Sequence, residues 1–263
     1  MKSMHSKETT VATALKVLLE GFIDYAGVFP PAAVPLDTAI SNYKNYRDDK
    51  FNWMLRWLVV DGTVLEQIPE DLHGKVSILA TCDDRRAASI ETKSTIASQH
   101  PVYCEIATTD LAHLKSVKKS GCFAKIRTGG LKPEAIPSSA DVAAFITACA
   151  DLRLAFKATA GLHHPLRAEQ ALTYAADSPR AKMHGFINIM MSAAFAWNGQ
   201  RDLVPIIEET EASAFRFDDE AAHWSGLSLT VQQIKESREQ FFHSVGSCSF
   251  EEPVLELQAL KWL

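Results

Sequence analysis

No stretch of this sequence stays apolar long enough to cross a bilayer. The longest, 186-FINIMMSAAFAW-197, is interrupted by Asn188 and Ser192 and falls short of the about 20 residues a spanning helix needs. The opening MKSMHSKETT has no apolar core of the kind a secretory signal carries. Five cysteines are present, but no two form a C-x-x-C pair, and four lie in or beside apolar segments. That pattern fits reduced thiols in a cytoplasmic protein better than a disulfide framework. There is no long Lys/Arg run, and the formal net charge is −5, so a nucleic-acid partner is not expected. A membrane partner is excluded on the same reading. H-E-x-x-H and H-x-H are missing, as is a glycine-rich fingerprint after the first β-like run. Neither a cofactor nor a metal is therefore assigned.

What remains is an ordinary folding composition, 47% hydrophobic and 22% charged, over 263 residues. Short β-like runs alternate with helical ones. The β-like runs are 23–31, 54–62, 76–81, 102–108, 122–128, 152–159, 184–191 and 213–219. The helical segments are 8–22, 35–47, 83–99, 109–120, 140–150, 165–177 and 230–245, with 63–72 a short helix or turn. Ser139 is the expected cap of 140–150, where Val142, Phe145, Ile146 and Cys149 share a face. Repeated strand–helix alternation means a parallel sheet, and without a dinucleotide fingerprint a closed barrel fits better than an open one. The expectation is an α/β protein, a single (β/α)8 TIM-type barrel over 1–263 with a C-terminal helical extension, 250–263.

In such a barrel, reactive groups gather at the C-terminal ends of strands. Polar residues do fall there. Glu105 interrupts the fourth β-run, Lys125 and Arg127 share a face of the fifth, and Lys157 and Thr159 share a face of the sixth. His184 and Asn188 share a face of the expected seventh. Asp24, and Asp218 or Asp219, end the first and eighth. A satisfied ion-pair layer is the plain alternative for any one of them, since buried charges must compensate one another.

The chemistry suggested is specific. A desolvated lysine next to a second cation has a lowered pKa and can attack a carbonyl. Lys157 is the expected nucleophile, Lys125 the neighbouring cation, Glu105 the acid/base and Arg127 the clamp on an anionic substrate. Thr159, His163, His164, His184, Asn188 and Asp24 are candidate substrate contacts. The strand end 157-KATAG-161 resembles those of barrel Schiff-base aldolases and dehydratases, which carry such lysines on a sixth strand. The resemblance implies lyase chemistry on a small anionic carbonyl compound. The wider stretches 24-DYAGVFPPA-32, 154-LAFKATAGLHHP-165 and 246-GSCSFEEPV-254 resemble those of bacterial hypothetical proteins of unassigned function.

Two other readings stay open. His163, His164 and His184 with a carboxylate can make a metal-dependent hydrolase or lyase, although adjacent histidines rarely ligate one ion. In the bland version, His164 caps a helix at Pro165 and His163 is solvated. The barrel can also bind a small anion without catalysis. Cys248, in 246-GSCSF-250, reads as a core thiol, with a catalytic thiol as the alternative and no visible context for a lowered pKa. The loop 129-GGLKP-133 reads as a turn, with a phosphate cradle of backbone N–H groups as the alternative, and Trp53, Trp57 and Trp197 as core. The apolar end, 254-VLELQALKWL-263, either packs on its own barrel or forms a homo-oligomer contact.

Overall fold

Strands of three to seven residues close into a parallel barrel in the computed structural model, which describes residues 11–263. The stretch expected to carry no signal, 1–10, lies outside the described residues, as does the start of the helix expected over 8–22. The strands are β1 (Ile23–Tyr25), β2 (Leu55–Asp61), β3 (Val76–Leu79), β4 (Ser89–Thr92), β5 (Val102–Glu105), β6 (Phe123–Arg127) and β7 (Phe156–Thr159). The chain then leaves the barrel for a hairpin, β8 (Ala168–Ala171) with β9 (Arg180–Met183). A three-stranded antiparallel sheet follows: β10 (Phe215–Phe217), β11 (Ala221–Trp224) and β12 (Leu227–Thr230). It returns as β13 (Phe242–Ser247), which pairs with both β1 and β7 and closes the ring. The closed order is β1-β13-β7-β6-β5-β4-β3-β2. This is the architecture of a TIM-type barrel, with helices outside a parallel ring of eight strands.

The helices are α1 (Thr13–Leu19), α2 (Leu36–Arg47), α3 (His113–Lys119), α4 (Ser139–Asp151), α5 (Phe186–Trp197), α6 (Val204–Glu208), α7 (Val231–Gln240) and α8 (Glu251–Ala259). The cap of α4 is Ser138 rather than Ser139, its hydroxyl accepting from the Asp141 N–H at 3.1 Å. The C-terminal helix α8 turns Val254 and Leu257 into the protein's own core and leaves Leu255 exposed.

Five segment expectations fail. The segment 83–99 holds no helix: β4 lies in its middle, flanked by loops. Its polar Ser89 and Glu91 point into the barrel, where they are satisfied by partners. The segment 184–191 is not a strand but leads into α5. This helix buries every residue from Phe186 to Ala196, and a run apolar on all sides has no period to separate helix from strand. The segment 165–177 is not a helix but opens the hairpin, whose pairing overrides good helix composition. The strand at 213–219 exists as β10 but belongs to the outer sheet. The true last barrel strand, β13, was absorbed into the helix expected over 230–245. Asp218 and Asp219 accordingly lie away from the barrel mouth, bound to His223 at 3.0 Å and to the Thr13 N–H at 3.0 Å.

Inserting β4 moves every later strand along by one. Glu105 stands on the fifth barrel strand, Lys125 and Arg127 on the sixth, and Lys157 and Thr159 on the seventh.

Candidate active site

Parallel register sets the site. Glu105 pairs with Lys125 across β5 and β6, and Lys125 with Lys157 across β6 and β7, so three charged side chains stand in one row. An isolated charge cannot be held in a barrel interior, so each must find a partner there. The partner is Glu91 on β4. Its Oε1 accepts from Lys157 Nζ at 2.6 Å and its Oε2 from Lys125 Nζ at 2.8 Å. Asp24 on β1 takes a second Lys157 hydrogen at 2.5 Å, and Glu105 a second Lys125 hydrogen at 3.0 Å. Ser77 and Ser244 complete the set, donating to Glu91 Oε1 at 2.9 Å and to Asp24 Oδ2 at 2.6 Å. Below them Arg56 donates to Ser244 Oγ at 2.9 Å and lies 4.0 Å from Asp24.

This network corrects the expected role of Lys157. Burial alone would push its ammonium pKa down, but Asp24 and Glu91 outweigh burial, and the pKa lies above the ordinary lysine value. Lys125 does not act as the depressing cation, because Glu91 stands between the two ammoniums. Burial pushes the Glu91 carboxyl up, but Lys157 and Lys125 together hold it well below the usual carboxylate range. Along the row, carboxylates and ammoniums alternate: Asp24, Lys157, Glu91, Lys125.

Above the row is a cavity of about 220 Å³ at the C-terminal mouth. Lys125, Arg127, Thr159, His163, Glu91 and Cys248 contribute to its lining; Lys157 and Asp24 do not, and both are wholly buried. Arg127 is about half exposed at its side chain (53%), and among the described residues its one ion pair is loose, 3.9 Å to Glu105. Its fork thus remains available to a ligand. The four cations Arg56, Lys125, Arg127 and Lys157 face the three carboxylates Asp24, Glu91 and Glu105, so the region carries an excess of one positive charge.

Two backbone features shape the cavity. Gly246 on β13 is glycine because a Cβ there would lie 2.6 Å from Thr159 Oγ1. At the end of β7, Ala160 and Gly161 take positive φ (64° and 75°), a tight reversal that carries the chain up to His163 on the cavity wall. From the hairpin, Leu172 and Met183 cover one side.

The three histidines expected to group do not. His163 Nδ1 faces Ser247 Oγ at 3.2 Å and Cys248 Sγ at 3.5 Å. His164 turns away to Glu256 on α8, at 2.5 Å, rather than capping a helix. His184 is held between Arg167, which donates to its Nδ1 at 3.0 Å, and the Pro137 carbonyl, to which its Nε2 donates at 2.9 Å. Burial keeps its pKa below the ordinary value, so it is neutral and both ring nitrogens are used. Among the described residues, no three His, Cys, Asp or Glu side chains converge as a metal-ligand set. Asn188 is equally committed. Its Oδ1 accepts the Arg167 N–H at 3.0 Å and its Nδ2 donates to the carbonyls of Ile206 and Glu209, each at 2.8 Å. His164, His184 and Asn188 therefore lie outside the cavity lining, His184 and Asn188 fixing the hairpin's base to α5 and α6.

Sequence reasoning passed over Glu91, and took Cys248 as core before its catalytic alternative. Glu91 sits in 89-SIET-92, where the alternating β-branched Ile90 and Thr92 were the available signal for a strand. Comparison of the chain with family models, with curated proteins and with solved structures returns no match.

Proposed function

We propose that this protein is a barrel enzyme that acts on a small anionic carbonyl compound by lyase chemistry of the aldolase kind, through a lysine amine, and that the amine is Lys125. The observation that carries the reading is that Lys125 lines the mouth cavity beside Arg127, while Lys157 lies beneath it, wholly buried and ion-paired. With β4 counted, Lys125 is the sixth-strand lysine, whereas 157-KATAG-161, the stretch that resembles Schiff-base aldolases, falls on β7.

The roles follow from exposure and charge. Arg127 binds the substrate anion with its planar fork. Lys125 must shed a proton before it attacks, and Glu105, 3.0 Å away and the more exposed of its two carboxylates, takes it. The amine nitrogen bonds to the carbonyl carbon as the carbonyl π bond breaks; the oxygen gains one proton from that nitrogen and one back from Glu105, and leaves as water to give an iminium. Glu91 stays anionic throughout and stabilises that cation, while the iminium draws electrons from the adjacent C–C bond. Lys157 is the fixed counter-charge that keeps Glu91 ionised. All five thiols are free, which supports a reducing, cytoplasmic setting.

The test is borohydride reduction in the presence of a panel of small 2-oxo acids and aldehyde acids, read by intact mass. A gain of one reduced ligand per chain, with loss of turnover, supports the proposal. No gain with a compound that the protein demonstrably turns over overturns it. An anion that binds but is never turned over or trapped identifies a binding protein instead.

A further inference from the structure

Next to the lysine row, on the strand that neighbours β7, Cys248 follows directly on β13 and lines the cavity wall with its side chain almost wholly buried. Its neighbours form a cluster that the lysine chemistry does not use. His163 Nδ1 lies 3.5 Å from Sγ and Nε2 3.9 Å, the Tyr174 hydroxyl is 3.8 Å from Sγ, and Glu252 Oε2 is 3.9 Å from His163 Nδ1. Ser247 cannot compete for the imidazole as a donor, because its single hydroxyl hydrogen goes to the Ser249 carbonyl at 2.6 Å. If Nδ1 carries the ring hydrogen it donates to Ser247 Oγ, and Nε2 offers its lone pair to the thiol. If Nε2 carries it, Nδ1 does so. In either tautomer a basic nitrogen is within reach of the S–H.

The resting state fits a nucleophile activated only as it attacks. Burial pushes the thiol up to about 11 and the imidazole down to about 4, so both are neutral before reaction. The Tyr174 hydroxyl and the backbone N–H of Ala32 favour the thiolate as it develops; Glu252 opposes it, and lies 3.9 Å from His163 Nδ1, where it faces the imidazolium that forms. No other cysteine has this setting. Cys104, Cys122 and Cys149 are buried away from the cavity, and Cys82 is on the surface. Lys125 and Arg127 line the same space and attract negative charge into it.

The geometry points to Cys248 as a nucleophilic thiol, with His163 as its base, that bonds covalently to the electrophilic carbon of a small anionic ligand in this cavity. With a 2-oxo or aldehyde acid, the S–C bond forms as the carbonyl π bond breaks. The thiol proton passes through the His163 ring nitrogen to the carbonyl oxygen, giving a reversible hemithioacetal with no oxidant or reductant required. The inference rests on the anion-binding half of the proposed function and not on the imine.

Alkylation of the full-length chain by iodoacetate and by iodoacetamide tests it, with each cysteine followed by peptide mass mapping and Cys82 as internal reference. In both reactions the S–C bond forms and iodide leaves. The iodoacetate-to-iodoacetamide rate ratio should be about tenfold higher at Cys248 than at Cys82. Arg127→Ala should bring the two ratios together. His163→Asn should slow Cys248 by about a hundredfold and leave Cys82 alone, the scale of a lost general base; His163→Gln serves if that variant does not fold. Three results overturn the proposal: no labelling of Cys248 while Cys82 reacts, equal ratios at the two thiols, or a Cys248 rate indifferent to His163. Borohydride trapping is scored separately, so a failed imine and a failed thiol give different patterns.

Discussion

Lys125 and Lys157 stand side by side on adjacent strands and are joined through the two oxygens of one carboxylate, Glu91, at 2.8 Å and 2.6 Å. Two ammoniums in register can occupy a barrel interior only if a negative group lies between them. One of the pair faces the cavity and the other supports it from below.

Glu91→Gln should therefore be severe. It leaves two buried ammoniums short of a counter-charge, and breaking a buried pair costs about 3–5 kcal/mol. Glu105→Gln, at the more exposed end of the row, should cost about 1 kcal/mol or less. Denaturant unfolding of both variants checks this, and a Glu91→Gln protein as stable as Glu105→Gln contradicts it.

Acid should weaken the fold in two steps. His163 has a folded pKa of about 4 against an ordinary 6.5, lowered by burial first and by His164 second. Between those values the unfolded chain binds a proton the folded chain does not, so stability falls as pH drops from about 6.5 to about 4. At about 1.4 kcal/mol per pKa unit, His163 accounts for on the order of 3 kcal/mol of that loss, and His184 and His243, also held below the ordinary value by burial, add to it with the same sign. The Glu91 contribution has the depressed-carboxylate sign: complete above about pH 4.3, and lost as pH falls below it toward the folded value. Unfolding free energies across pH 7 to 3 measure both. A wild-type slope between pH 6.5 and 4 that His163→Asn leaves unchanged contradicts the first step.

Asn188→Ala separates structure from binding. Three backbone groups lose their partner, at about 1–3 kcal/mol for each left unsatisfied. Stability should drop by several times RT while the folded variant binds small carboxylates as the wild type does. Calorimetric titration decides it: weakened anion binding with unchanged stability returns Asn188 to the ligand site.

Arg127→Ala should behave in the opposite way. Its loose pair with Glu105 contributes about 1 kcal/mol or less to stability, but a lost charge-assisted contact costs about 1.5–3 kcal/mol of binding. Small-carboxylate affinity should fall at least about tenfold with little change in unfolding midpoint. Unchanged affinity removes Arg127 from the anion site.

Much of this was legible in the sequence because barrel strands with buried faces read as short apolar runs. Lys125, Arg127, Lys157 and Glu105 stood out as charges inside such runs, and all four fall at the same end of the barrel. Glu91 was hidden by the opposite effect. Its strand is polar at Ser89 and Glu91, so it does not read as a short apolar run, and the missed strand shifted the two lysines by one position. Cys248 and His163 were not joined because their pairing depends on β13 closing against β7, a contact between segments 85 residues apart. Their spacing along the chain carries no trace of it. The fate of His184 and Asn188 was illegible for a related reason. The apolar run after them suits a buried strand and a buried helix equally, and only the helix turns both residues toward backbone partners.

The central claim is that Lys125 and not Lys157 is the reactive amine. Borohydride reduction with a turned-over small carbonyl acid, followed by peptide mapping, tests it most directly. The predicted result is a reduced adduct on the peptide containing Lys125, absent in Lys125→Arg, with Lys157 unmodified. An adduct on Lys157, or trapping that persists undiminished in Lys125→Arg, contradicts the account.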